Sequence, residues 1–239
     1  MKTITAFIFL FTLAIGCEPE IKPATFKIIS AENDYDADIS LNYEKANGSS
    51  ELAKIINSNI ESSIIKSLNP ETKFENLNSI LNEFNEEYLE YKSQFPDESD
   101  PKWELYVETE KTYQSDEIIS IAINTYEFKG GAHGNDKIKF LNLNAKTGGI
   151  IDNANLINDT VTLKKIAKTY FIEDLKSQEE NLNIEDYFYG KSFQLPENIG
   201  YSEEGLIMLY NTYEIASYAQ GYTEFVIPFE DVNSIINFN

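Results

Sequence analysis

The chain has 239 residues, with 40 acidic side chains against 19 basic ones and a formal net charge of −21, and every basic residue is lysine. Such a surface repels nucleic acid and anionic membranes, and the lack of arginine removes the bidentate clamp used on phosphates and carboxylates. One histidine and one cysteine are too few for a zinc or iron site, so no metal and no cofactor is expected.

The first 17 residues, MKTITAFIFLFTLAIGC, place Lys2 before an apolar run from Ile4 to Ile15 and end in a small residue followed by Cys17. This is a signal-peptide layout, too short to span a bilayer. The closing "AIGC" resembles the lipobox of bacterial lipoproteins, with Leu13 one place earlier than usual. On that resemblance residues 1–17 are a lipoprotein leader, Cys17 is the lipidated residue, and residues 18–25, "EPEIKPAT", are a tether; the alternative is an ordinary signal peptide with an incidental cysteine. Cleavage would leave 239 − 17 = 222 residues carrying 18 − 40 = −22 charges, a body held to the cell envelope through its N-terminal anchor alone. With Cys17 used, no disulfide is possible, and stability must come from a buried core.

"TFKIISAE" and "ADISLNY" predict two strands, the second alternating Ile39 and Leu41 with polar neighbours. Leu52, Ile56, Ile60 and Ile64 recur every four residues, which predicts a helix over 50–68. Thr72 and Glu75 are spaced as a capping box for the next helix, along which Phe74, Leu77, Leu81, Phe84, Tyr88, Tyr91 and Phe95 form one core-facing stripe; "FPDESDP" closes it. "KWELYVETEKTYQ" and "DEIISIAINTYEF" predict two long strands, and "DKIKFLNLNAKTGGII" a third that runs into a turn at Thr147, Gly148 and Gly149. A helix follows from Asp159 or Thr160 to about Lys176 on Val161, Ile166, Tyr170 and Phe171, then a short one at "NIEDYFY", strands at "GLIMLYN" and "TEFVIPF", and a helix-like "EDVNSIINF". Strands and helices come in blocks, so the expected class is α+β: antiparallel sheets with helices on one face, in two closely associated subdomains, 26–128 and 129–239.

The junction between these subdomains is "YEFKGGAHGN", which holds the only histidine, His133. A Ser-His-Asp triad would have to use it as base, yet no G-x-S-x-G elbow accompanies it and glycine neighbours hold an imidazole poorly. Gly130, Gly131 and Gly134 instead suggest positive φ or a bulge between strands, with the ring packed or hydrogen-bonded locally. No catalytic residue can be nominated. A carboxylate pair acting on a glycan remains open among so many acids. "DNANLIND" lacks the glycine and the terminal acid of a calcium loop. Tyr106, Tyr113, Tyr126, Tyr210, Tyr213, Tyr218 and Tyr222 can line a binding surface or pack sheets.

Two stretches carry a family resemblance: "YEFKGGAHGN" through "FLNLNAKTGGII", and "LIMLYNTYEIASYAQGYTEFVIPFEDV". They are similar to the paired domains of unknown function in RsiV-type, lysozyme-sensing anti-sigma factors and PdaC-type peptidoglycan deacetylases. The upstream strands, helices and Trp103 resemble the domain that usually comes first. No sigma-binding segment and no appended deacetylase domain with metal-binding histidines is seen. The resemblance therefore implies an extracytoplasmic binding module without intrinsic activity, with Tyr126, Gly130, Gly131, His133, Gly134, Tyr213 and Tyr218 as a ligand-contacting or structural motif. The partners it implies are a cationic, lysozyme-like protein or, alternatively, peptidoglycan, bound or acted on.

Overall fold

A computed structural model describes residues 22–30, 34–96, 101–178 and 184–238. Cys17 and the leader lie outside these residues, as does the first part of the tether. The first layer is a five-stranded sheet in the order β1-β2-β3-β4-β5, formed by Phe26–Ser30, Asp38–Ala46, Glu104–Gln114, Ile118–Phe128 and Asn135–Asn144. Its neighbours are antiparallel except for β2 and β3, which run parallel. The exception follows from connectivity: the two helices α1 (Glu51–Leu68) and α2 (Leu77–Gln94) carry the chain back to the end from which β2 started.

Strand alternation divides this sheet into two unlike faces. One meets α1 and α2, where Ile56, Ile60 and Ile64 of α1 and Ile119, Ile121 and Ile123 of β4 are fully buried in one cluster. Burying each such side chain contributes about 1.5–3 kcal/mol. Ser50 caps α1, its hydroxyl accepting from Ala53 N at 3.2 Å. The second helix begins at Leu77, later than Thr72 and Glu75 suggest. Asn76 is the residue that caps it, accepting from Ser79 N at 2.9 Å, while Thr72 Oγ1 accepts from Phe74 N in a separate turn. Phe74 therefore precedes the helix and is partly exposed, as is Phe95 beyond its end; Leu77, Leu81, Phe84 and Tyr88 are the buried stripe. Trp103 joins them, with its ring 5.9 Å from those of Phe84 and Tyr88 and 5.3 Å from that of Tyr91.

The second layer is a three-stranded antiparallel sheet, β6-β7-β8 (Asn198–Tyr201, Gly205–Tyr210, Thr223–Pro228), backed by α4 (Thr160–Gln178) after a single turn α3 (Asn153–Leu156). The strand at "NIGY" has no counterpart among the expected elements, since four residues are too few to show a period. "NIEDYFY" forms two 3-10 turns, and "EDVNSIINF" contains only the short α5 (Phe229–Val232) before a bridge between Ile157 and Ile236. On α4 the core stripe is Leu163, Ala167, Phe171 and Leu175; Val161, expected inside, is 65% exposed.

The second layer rests on the far face of the first sheet. Tyr201 N donates to Ser120 Oγ at 3.1 Å, Asn142 Nδ2 donates to Ile199 O at 2.8 Å, and Gly200 lies so close to Phe140 that a Cβ there would sit 2.3 Å from the ring. The sequence-based division between residues 128 and 129 falls at the end of β4, and β5 beyond it completes the first sheet. Among the described residues no helix is long and apolar enough to cross a membrane.

Candidate functional site

The part of the far face left uncovered starts at a cross-strand pair. Tyr106 of β3 and Tyr126 of β4 are register partners, and their rings stack 5.6 Å apart at an interplanar angle of 14°. Tyr106 donates its hydroxyl to Asp38 Oδ2 at 2.9 Å. Burial first, then Asp38 and Glu104, raise the Tyr106 phenol above its ordinary range; burial first, then Glu104, Asp136 and Tyr218, do the same at Tyr126. Both phenols therefore stay neutral donors at physiological pH.

From Tyr126 the aromatic surface continues across the glycine junction. Gly130 and Gly131 have φ of +86° and +107°, the left-handed geometry that glycine adopts without penalty. Gly134 has ordinary φ, contrary to the expectation drawn from its neighbours; it is needed for space, because a Cβ there would lie 2.3 Å from the Tyr126 ring. Tyr218 donates to the Gly134 carbonyl at 3.4 Å, and its ring stacks on His133 at 3.9 Å. Tyr213 follows at 5.7 Å from Tyr218 and is 53% exposed. His133 Nδ1 lies 2.9 Å from Gly134 O, which places the proton of the neutral ring on that nitrogen. The histidine is thus held as a stacking and hydrogen-bonding residue, and its hydrogen bond goes to a backbone carbonyl.

Several residues that build this strip were not singled out from sequence. Asn211 pins the Tyr213–Tyr218 loop to β5 by copying a strand: its Oδ1 accepts from Ile138 N and its Nδ2 donates to Ile138 O, both at 2.8 Å. Glu214 closes the same loop, accepting from Asn211 N at 2.9 Å and Glu197 N at 3.0 Å. Burial raises the Glu214 pKa, and the two backbone N–H groups oppose that rise. The Tyr189 hydroxyl lies 2.6 Å from Ala216 O and 3.0 Å from Tyr213 O. Phe188, Tyr189 and Tyr213 all have φ between +52° and +67°, a cluster of left-handed non-glycine residues at one place. Such strain is held only where surrounding bonds over-determine it. A tyrosine at i+2 after an asparagine carries no sequence signal for any of this.

Electrostatics set the same face apart. In β2, β4, β5 and β3 up to the register shift after Lys111, the even-numbered residues share the face of Tyr106 and Tyr126, since the register pairs Asp38 with Glu104, Tyr106 with Tyr126 and Tyr126 with Asp136. Among them are Asp38, Glu44, Glu104, Glu108, Glu110 and Asp136, and not one lysine; the lysines of these strands, Lys45, Lys111, Lys137 and Lys139, are all odd-numbered. Of the other tyrosines named from sequence, Tyr113 and Tyr210 are packing residues, Tyr113 stacked on Tyr201 at 5.7 Å and Tyr210 fully buried, while Tyr222 is exposed apart from the strip. Among the described residues no three His, Cys, Asp or Glu side chains converge as a metal donor set, and Asp152 of "DNANLIND" serves as a helix cap.

Residues 29–136 match the family model described as Deacetylase PdaC, and residues 152–230 match that of the protein of unknown function DUF3298. The two matches stand in tandem along the chain. Among solved structures, a DUF3298 family member from Bacteroides fragilis NCTC 9343 is similar with a TM-score of 0.69 at 18% identity, covering 90% of this chain and 94% of that one. A DUF3298 family protein from Pseudomonas aeruginosa PAO1 is similar with a TM-score of 0.62 at 16% identity, covering 90% and 95%. At these identities the shared property is the fold. No curated protein matches the chain. The aromatic strip draws on both matched segments: Tyr106, Tyr126 and His133 lie within 29–136, Tyr213 and Tyr218 within 152–230.

Proposed function

We propose that this chain is an envelope-anchored binding protein that captures a cationic protein of the lysozyme class on the strip running from Tyr106 to Tyr213. The observation that supports this reading most is the coincidence of a partly exposed tyrosine–histidine strip with a sheet face from which lysine is excluded and on which six acids stand. Tyrosine supplies contact area at low conformational cost, and the acids steer a positively charged partner and reject a negative one. Lipidation at Cys17 would hold the module at the cell envelope, and metabolic labelling with palmitate checks it. Binding is preferred to catalysis because His133 is engaged with the Gly134 carbonyl and stacked on Tyr218, and among the described residues no hydroxyl nucleophile or carboxylate is bonded to its ring.

Titration calorimetry against hen lysozyme at low and moderate ionic strength tests the proposal. Binding should weaken as salt rises, and Tyr126→Ala should lower affinity about 30-fold, the scale of an interface hot spot near 2 kcal/mol. Absence of heat at both salt concentrations sinks it. A stacked tyrosine surface also suits sugar rings, so retention of the protein by purified sacculi, with no heat from lysozyme, would move the assignment to peptidoglycan.

A further inference from the structure

The first half of α4 and the segment beside it invert the charge of the rest of the molecule. The whole chain carries 40 acids in 239 residues, about one in six. The segments Thr160–Ile172, "TVTLKKIAKTYFI", and Lys191–Pro196, "KSFQLP", together carry four lysines and no acid. They lie side by side and bound an open groove of about 600 Å³. Val161, Lys164, Lys165 and Lys168 stand at helical spacings of three and four, so they form one stripe, which flanks the buried Leu163, Ala167 and Phe171. Phe193 and the half-buried Leu195 supply the apolar side of the groove, and Val161 projects with 65% of its surface exposed. Among the described residues no carboxylate lies within ion-pair distance of these three lysines; Lys164 reaches only Gln194 Oε1, at 3.4 Å.

We propose that this stripe docks the protein on an anionic phospholipid bilayer, with Val161 and Leu195 at the acyl boundary and the ammonium groups of Lys164, Lys165 and Lys168 among the phosphates. Lysine suits that position because its aliphatic stem covers apolar surface while its charge stays in water. The net charge of −21 argues against membrane contact only if distant acids are felt at the surface. At physiological salt the screening length is about 8 Å, so the charges in contact dominate and the remote acids are damped. Each lysine near an anionic surface is worth about 1 kcal/mol, or about fivefold in affinity. The choice of a bilayer over a single soluble anion rests on the exposed valine and apolar groove wall, which a hydrated phosphate does not need.

Co-sedimentation of the full, unlipidated chain with vesicles of phosphatidylcholine alone, and of phosphatidylcholine with phosphatidylglycerol, tests this through the difference between the two. The anionic vesicles should bind more protein, and the Lys164→Gln/Lys165→Gln/Lys168→Gln variant should lose about a hundredfold of that preference with its circular dichroism unchanged. Val161→Ser should weaken binding to the anionic vesicles as well. Equal binding of the native chain to both vesicle types overturns the proposal, as does a triple variant that keeps the preference. Displacement by millimolar inorganic phosphate at constant ionic strength also overturns it, because the groove would then be a site for the free anion.

Discussion

Gly134 lacks the positive φ that favours glycine, yet the Tyr126 ring occupies the space where its side chain would go. Gly130 and Gly131, four and three places earlier, are glycines for the opposite reason, a left-handed backbone. The latter pair was legible in sequence because adjacent glycines between strands announce a turn; the former was not, because its partner lies eight residues away on a neighbouring strand. Gly134→Ala is expected to push Tyr126 off its stack with Tyr106 and cost about 1–3 kcal/mol, the usual scale for forcing one carbon into a packed site. Urea denaturation measures the loss, and the calorimetric affinity for lysozyme should fall with it. An unchanged urea midpoint would mean that the Tyr126 ring has room to move aside.

Elements were easier to place than their ends. α1 lies where a four-residue apolar repeat and a serine cap agree, whereas α2 has two competing start signals. Thr72 and Glu75 have the spacing of a capping box, but Asn76 takes the role, because it is the residue whose side chain reaches the N3 amide of the helix that packs on the sheet. Asn76→Ala should therefore destabilise the fold by about 1 kcal/mol and Thr72→Ala by a few tenths at most, compared by urea midpoints; equal losses would contradict the assignment. On α4 the same limit appears as a matter of depth. Of Val161, Ile166, Tyr170 and Phe171, Phe171 belongs to the buried stripe with Leu163, Ala167 and Leu175, Ile166 and Tyr170 pack half-buried against that cluster, and Val161 is exposed. The apolar letters are legible, and packing decides how deeply each one is buried.

At the scale of the whole molecule, phenols report the integrity of both layers. Burial, aided by the Glu61 charge and its hydrogen bond, pushes the Tyr43 pKa from 10.0 to about 12 in the first layer. Burial above all raises those of Tyr201 and Tyr210 in the second. A folded-state pKa above the unfolded value adds stability that is complete below pH 10 and lost as pH rises toward 12. The fold should therefore weaken steeply between these values, with phenolate absorbance appearing as the chain opens. Phenolate absorbance equivalent to all 15 tyrosines developing near pH 10 while the single tryptophan, Trp103, keeps its folded emission would contradict the burial of these rings. Charge acts at this scale too. The net value of −21 suggested repulsion from anionic membranes everywhere, but its distribution separates an acidic aromatic face from a lysine-bearing groove.

Sequence by itself determined the class, most of the strand and helix positions, the glycine turn, the insufficiency of His and Cys for a zinc site, and the segments that carry the family resemblance. These are local properties, set by propensity, period and residue chemistry within about a dozen neighbours. Tertiary structure alone decided that β2 and β3 run parallel, that β6 exists, and that Tyr106, Tyr126, His133, Tyr213 and Tyr218 meet although they span more than a hundred residues. It also decided which of the many acids share a face, because register converts odd and even numbering into opposite sides of a sheet. Register and packing depend on contacts between distant segments, and no stretch of the chain encodes them alone.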